Sequence, residues 1–333
     1  MKALVYTQPG EMQLLDREMP EAADGEVLLR IEAVGICGSD LHAWHGHDPR
    51  RQPGLVLGHE FVGRIEASRA AGYAVGTRWT GNPLIVCGRC EYCQQGRNNL
   101  CAHRSMVGMT RPGAYAEYMS IPAASLIAMP PAMPATRAAL TEPAATAWHA
   151  VNLSMRALVR PLHECRVLVI GGGAIGLLAG LLLRHLGVAG LTMTELNPLR
   201  RQAIAEHVGC AAVDPRATPL PDAAFDFVID AVGAKATRQQ AFAAIKPGGV
   251  VMHIGLQDWA SEIDMRKLTL AEITLLGTYT YTTADLNATV AALDRGVFGD
   301  LAWVEERPLA DGPGAFVDLD RGQCAAAKIV LRP

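Results

Sequence analysis

Four cysteines, Cys87, Cys90, Cys93 and Cys101, are separated by two, two and seven residues. Thiolates at that spacing can wrap one tetrahedral ion within a single loop. Four sulfurs leave no coordination position for a substrate, so the ion expected here is a structural zinc. A reactive metal would have to be held elsewhere. Upstream, Cys37 in Gly35-Ile36-Cys37-Gly38-Ser39-Asp40 and His59 in Gly58-His59-Glu60 offer one thiolate and one imidazole from two separate segments. A catalytic zinc takes about three protein ligands and keeps a position open. Either Glu60 or Glu142, in Thr141-Glu142-Pro143, could be the third. Spacing alone gives this second set little force, because a cysteine and a histidine 22 residues apart are more often core and surface residues.

A third constellation is the run Gly171-Gly172-Gly173-Ala174-Ile175-Gly176, with glycine-x-glycine-x-x-glycine spacing at Gly171, Gly173 and Gly176. The first glycine permits a tight turn, the second lets backbone approach a pyrophosphate, and the third lets helix and strand pack closely. The helix that follows would point its amide donors at the phosphates. Glu195 lies 19 residues past Gly176, at the end of the next apolar run. A carboxylate there can accept hydrogen bonds from both adenosine ribose hydroxyls and would repel a 2′-phosphate, so NAD is expected rather than NADP. Arg200 and Arg201 nearby are the competing signal for a phosphate.

These residues need elements to position them. Up to about residue 140 the chain consists of short β-branched runs cut by Gly and Pro clusters, which reads as a β-rich, irregular domain. From residue 166 the texture changes to apolar strands alternating with helices, the rhythm of a parallel sheet. Strands are expected at 166–170, 191–194, 225–230, 249–254 and 273–276, and helices at 174–186 and 197–207. After about residue 283 the pattern returns to a mixed tail ending in a strand at 328–331. The fold class is therefore α/β, a doubly wound parallel sheet joined to a β-rich unit.

Composition narrows the function. The chain has 333 residues, enough for two cores, with 50% hydrophobic residues and a formal net charge of −3. No long basic block offers a nucleic-acid or anionic-membrane footprint. The longest apolar run, 174–183, ends at Arg184, well short of the ~20 residues a bilayer needs. The start, Met1-Lys2 followed by Ala3-Leu4-Val5-Tyr6, is too short for a signal sequence and reads as a strand. Eight cysteines, four of them in the box and the others scattered, fit reduced thiols better than disulfides. A cytoplasmic protein acting on a small molecule is expected.

The segments 35–42, 58–63, 87–101, 141–150 and the glycine turn occur in the order found in zinc-dependent medium-chain alcohol dehydrogenases. The chain resembles that family over nearly its whole length, most closely its polyol (sorbitol) and threonine dehydrogenase branch. The resemblance implies a GroES-like catalytic domain at 1–145 and 285–333 and a Rossmann domain at 146–284. It implies two zinc ions per chain, the catalytic one on Cys37 and His59, completed by Glu60 or Glu142, with the other glutamate touching zinc-bound water. It also implies a proton relay through Ser39 and His42, with Asp40 orienting His59. For the cofactor it implies Thr146 under the nicotinamide, the Ile175 backbone at the pyrophosphate and Arg200 near the adenosine ribose. Ile254, Leu256, Thr278 and Tyr279 would line the nicotinamide half.

The expected reaction is reversible hydride transfer from a secondary alcohol of a polyol-like substrate to NAD, with threonine oxidation as the alternative. A homodimer or homotetramer is implied as well, formed through the strand at 273–276. The rival from another class is a noncatalytic zinc and nucleotide binding protein. Three positions depart from the family pattern: the segment 64–76 is short, with Arg69 in place of a glycine, Thr77 stands where an aspartate is usual, and Glu195 replaces the usual aspartate.

Overall fold

The computed structural model describes residues 1–322 and 324–333. Two sheets dominate it. One has six parallel strands in the order Ala211–Val213, Leu191–Thr194, Val167–Ile170, Phe225–Asp230, Ile245–His253 and Thr274–Gly277. In units of the sheet's own sequence this is 3-2-1-4-5-6, the doubly wound Rossmann order. Val167–Ile170 and Phe225–Asp230 are buried at every position. That follows from a sheet covered by helices on both faces, where strands need unbroken apolar runs rather than alternation.

The second sheet has seven strands. Val304–Pro308, Lys328–Arg332, Glu26–Gly35, Glu60–Ser68, Arg78–Gly81 and Leu126–Ala128 follow one another, and Tyr118–Pro122 pairs with Glu26–Gly35 off that path. The chain end thus returns to pair with its beginning, Val330 opposite Gly35, while Gly35 also lies opposite Glu60. Three strands far apart in sequence bring one end of each to the same place.

The helix Thr141–Met155 packs against Ala174–His185 of the parallel-sheet unit and against Thr283–Asp294. Across the latter contact the His149 ring Nδ1 lies 2.8 Å from an Asp285 carboxylate oxygen.

The parallel strands fall close to their expected positions, with some differences. Residues 197–207 form a short α-helix, Pro198–Ala203, that widens into a π turn at Ile204–Val208 and stops at Gly209 with φ +66. The strand Ala211–Val213 was not anticipated; three partly exposed residues carry no periodicity to read. The tail contains two helices, Thr283–Asp294 and Gly312–Arg321. Among the described residues no helix is long and apolar enough to cross a membrane.

Candidate active site

The cysteine box is a loop closed around a helix of one turn, Glu91–Gln94, and a 3-10 turn, Asn98–Leu100. One ligand atom from each of Cys87, Cys90, Cys93 and Cys101 lies within 4.8 Å of the others. The Cys90 and Cys93 sulfurs are 3.5 Å apart, and those of Cys87 and Cys101 are 3.6 Å apart. Zinc–sulfur bonds of about 2.3 Å at tetrahedral angles put sulfurs about 3.8 Å apart, so the box fits zinc. Backbone N–H groups of Arg89 and Cys90 bring the Cys87 thiol down to about 6, while burial and the neighbouring Cys90 and Cys101 push the Cys93 thiol up to about 12, so one sulfur is ready as a thiolate and another holds its proton until a cation displaces it. All eight cysteines are free of disulfides.

The second cluster is built by the seven-stranded sheet. Cys37 follows Glu26–Gly35 and caps the helix Gly38–Trp44, while His59 and Glu60 open the neighbouring strand. Ligand atoms of Cys37, His59 and Glu60 lie within 4.8 Å of one another, and Glu142 falls outside this group. Gly35 makes room for the cluster, since a Cβ there would run into the Glu60 carboxylate.

Both Glu60 oxygens accept from the Lys328 ammonium at 2.7 Å, and Lys328 also donates to the Ile36 carbonyl at 2.6 Å. Lys328 and Glu60 are buried, as are Asp40 and Arg51, which pair at 3.3 Å. His59 turns Nδ1 toward Asp40 Oδ1 at 3.6 Å, and neither atom makes a hydrogen bond, although Arg51 Nη2 lies nearer to that oxygen, at 3.3 Å. This matches a metal-bound histidine, whose second ring nitrogen faces a carboxylate.

Glu142, in the first turn of Thr141–Met155, accepts a hydrogen bond from the buried Tyr281 hydroxyl at 2.8 Å. Burial pushes the Glu142 carboxyl up to about 7, with the charge of Glu60 adding to the effect. Burial likewise pushes the Cys37 thiol up to about 12, again with Glu60 adding. Ionised together, Cys37, Asp40, Glu60 and Glu142 would outweigh Arg51 and Lys328 by two negative charges, which is what a divalent cation balances.

Ser39 and His42 lie on the helix Gly38–Trp44, where residues three apart share a face. The Ser39 hydroxyl accepts from Arg51 at 3.1 Å. Burial lowers the His42 pKa, and the nearby His47 and His45 lower it further. His45 and His47 are exposed and stack on each other, and His45 also bonds Asp320 at 2.7 Å.

In the parallel-sheet unit Gly171 follows the first strand with φ +99, and Gly173 caps the helix Ala174–His185, on which Ile175 is partly exposed. A Cβ at Gly176 would strike the Gly171 carbonyl, so helix and turn pack as the motif requires. Glu195 follows the second strand and accepts from the Gly172 and Asn197 amides, each at 2.8 Å. Arg201 donates to the Glu195 and Leu196 carbonyls and pairs with Asp214. Arg200 Nε is buried with no partner.

Near the ends of the last strands, Thr278 and Thr280 each hold a buried hydroxyl without a partner, and Thr280 sits at φ +47. Strain of that kind in a β-branched residue costs roughly 1–3 kcal/mol and is concentrated at ligand sites. Tyr279 stacks beneath the Arg104 guanidinium at 4.8 Å. Ile254 is half-buried and Leu256 exposed, on the loop after Ile245–His253. Thr146 lies one turn beyond Glu142 on the helix that leads into the parallel-sheet unit. Unpartnered donors past the carboxyl end of the sheet that carries the glycine turn fit a dinucleotide.

Lys328, Arg51, Tyr281 and Thr280 were not singled out from sequence. The local signal for Lys328 is a lysine heading the apolar run Ile329-Val330-Leu331.

The model of the alcohol dehydrogenase GroES-like domain matches residues 23–131, and that of the zinc-binding dehydrogenase matches residues 174–295. The chain is 33% identical to an L-threonine 3-dehydrogenase of Chelativorans sp. (strain BNC1), over 84% of this chain and 83% of that one. It is also 33% identical to an L-galactonate-5-dehydrogenase of Escherichia coli (strain K12), over 86% and 85%. A zinc-binding dehydrogenase from Sinorhizobium meliloti 1021, solved bound to NADP, superposes with a TM-score of 0.88 at 31% identity, covering 100% of this chain and 99% of that one. With both units and their order matched, the chain belongs to the zinc-dependent medium-chain alcohol dehydrogenases and is an NAD(P)-dependent oxidoreductase.

Proposed function

We propose that this enzyme oxidises the secondary hydroxyl of a polyol-like substrate, reversibly, with NAD as acceptor and two zinc ions per chain. The observation that carries the proposal is the metal-sized group Cys37, His59 and Glu60, coupled through the helix Thr141–Met155 to a glycine-turn nucleotide unit. Bound zinc lowers the pKa of an alcohol, and a nicotinamide accepts the hydride. Cys37 and His59 would hold the catalytic ion with Glu60 or Glu142, and the cysteine box would hold the structural one. Asp40 braces His59, while Ser39 takes the substrate proton and His42 passes it to solvent. Thr146, Ile254, Leu256, Thr278 and Tyr279 hold the nicotinamide half, and Gly171, Gly173, Ile175 and Gly176 the pyrophosphate.

NAD is favoured over NADP because Glu195 presents a carboxylate at the strand tip and Arg201 is already engaged with Asp214. Residues 1–145 and 285–333 would form the catalytic domain and 146–284 the nucleotide domain. The strand Thr274–Gly277 ends its sheet, and the exposed Leu275 on it and Leu270 just before it support a homodimer or homotetramer.

Threonine is the second reading, favoured by the name of the Chelativorans relative. NADH formation across sugar alcohols, cyclitols, aldonates and threonine, with and without chelator, tests the proposal. Turnover confined to threonine would replace the polyol reading, and no chelator-sensitive turnover on any of them would refute both.

A further inference from the structure

The wall beside the metal-sized group contains a cation that the reading above leaves without a task. Arg51 has a side chain with no exposure, on a segment whose neighbours Arg50 and Gln52 face solvent. All three of its nitrogens are engaged. Nε donates to the Gly108 carbonyl at 3.2 Å. Nη1 donates to the Ser39 carbonyl at 2.6 Å and to Asp48 at 3.2 Å. Nη2 donates to the Ser39 hydroxyl oxygen at 3.1 Å and lies 3.3 Å from Asp40 Oδ1, the oxygen that faces His59.

We propose that Arg51 is a positioning residue, which aims the Ser39 hydroxyl as a proton conduit and braces Asp40 behind His59. The argument rests on the dehydrogenase reading for the role of Ser39, and on geometry for the rest. A serine hydroxyl has one donor and two acceptor positions, and a guanidinium can only donate. Arg51 therefore occupies one lone pair of Ser39 Oγ and leaves one acceptor and one donor position. Those are the two that taking a proton from one partner and passing a proton to the next requires. The neighbouring Nη1 bond to the Ser39 carbonyl fixes the backbone, so the direction of that free pair is set by one rigid fork.

The second arm acts through Asp40. The Tyr115 hydroxyl and the Cys37 amide donate to its Oδ2, and Oδ1 faces Arg51 and His59. With the guanidinium in place, Oδ1 is held where the His59 ring must meet it. A lysine could keep the charge but not the planar fork that reaches Ser39 twice and Asp40 at once.

The test uses full-length wild type, R51K, R51Q, S39A and the double variant R51K/S39A. With the best alcohol from the substrate panel, kcat and KM are measured separately in H2O and D2O. R51K is expected to lower kcat by about 10- to 100-fold with little change in KM, and to raise the solvent isotope effect. In the S39A background the same change should do almost nothing, because the conduit it aims is gone. Unchanged kcat in R51K, or effects of R51K and S39A that multiply, would overturn the first arm.

The second arm is read without turnover. In protein loaded with Co2+, release to chelator from the Cys37 site is expected to be about 10- to 100-fold faster in R51Q, with the cysteine box as internal reference. Equal release rates in R51Q and wild type would overturn it. R51K takes the place of R51Q in this measurement should R51Q not fold. A wild type that oxidises none of the alcohols would refute the dehydrogenase reading, while the Co2+ measurement would still judge Arg51.

Discussion

Replacing Lys328 by Met keeps an unbranched side chain of similar length and removes one buried charge. In the folded protein that charge lies 2.7 Å from both oxygens of Glu60, in a place closed to water. Breaking a buried pair from one side costs about 3–5 kcal/mol, because the remaining charge is stranded. An upper limit follows from acid–base chemistry. A buried carboxyl left without its cation takes up a proton instead, and from an ordinary value near 4.3 this costs about 4 kcal/mol at pH 7 but only about 1 kcal/mol at pH 5.

At about 2–4 °C per kcal/mol for a unit of this size, metal-free K328M should melt some 8–16 °C below metal-free wild type at pH 7. At pH 5 the part of the gap due to the charge should close to about 2–4 °C, while the part due to the lost bond to the Ile36 carbonyl stays. Added zinc should also narrow it at pH 7, since a dication can take over the stranded charge. Thermal unfolding of both proteins, metal-free and zinc-saturated, at the two pH values checks this. A gap equal at pH 5 and pH 7, or untouched by zinc, would refute the argument that Lys328 exists to neutralise Glu60.

Cys101 is fully buried within the box, so Cys101→Ser should remove one of two zincs per chain by elemental analysis and lower the melting temperature; two zincs retained would count against the box as a metal site. Glu195→Gln keeps the size and drops the charge, at the loss of one of the two backbone amide bonds that Glu195 accepts, and should raise the NADP-to-NAD ratio of kcat/KM by about tenfold, the effect of ~1.4 kcal/mol of lost repulsion. An unchanged ratio would mean that Glu195 does not set cofactor choice.

Burial opposes ionisation of Asp285, but hydrogen bonds from His149 and Thr282 hold its carboxyl down at about 2. A depressed carboxyl stabilises the fold above its unfolded value and loses that contribution as pH falls from about 4 to about 2. Asp285→Asn should therefore cost about 1–2 kcal/mol at pH 7 and progressively less over that acid window. A loss independent of pH would assign the effect to capping of the helix Thr283–Asp294 alone.

The features legible from sequence share a short range. The box closes within 15 residues, counted from Cys87 to Cys101, and its spacing already limits the geometry. The glycine turn reads because each glycine answers a local steric demand, and the parallel strands read because burial on both faces makes their residues mostly apolar, with Asp226 and Asp230 as buried exceptions. The π turn at Ile204–Val208 went unread, since one extra residue in a turn barely alters apolar spacing. Cys37 and His59 were legible as candidate ligands, and the structure brings them together with Glu60, yet the surroundings of the two candidate glutamates were not legible. Glu60 is held by Lys328, 268 residues away, and Glu142 by Tyr281, 139 residues away.

By itself the chain's order of residues determined which groups are available: a closed thiolate loop, a turn that admits phosphate, and a histidine, a thiolate and two carboxylates suited to an open metal. Tertiary structure alone decided their charge environment. Gly35 lies opposite both Val330 and Glu60, and that register brings the strand led by Lys328 against the metal-sized group. Arg51 reaches Ser39 and Asp40 only because its segment folds back against Gly108. The physical reason is that Coulomb and hydrogen-bond energies depend on distance in space and on exclusion of water, and neither is encoded by spacing along the chain.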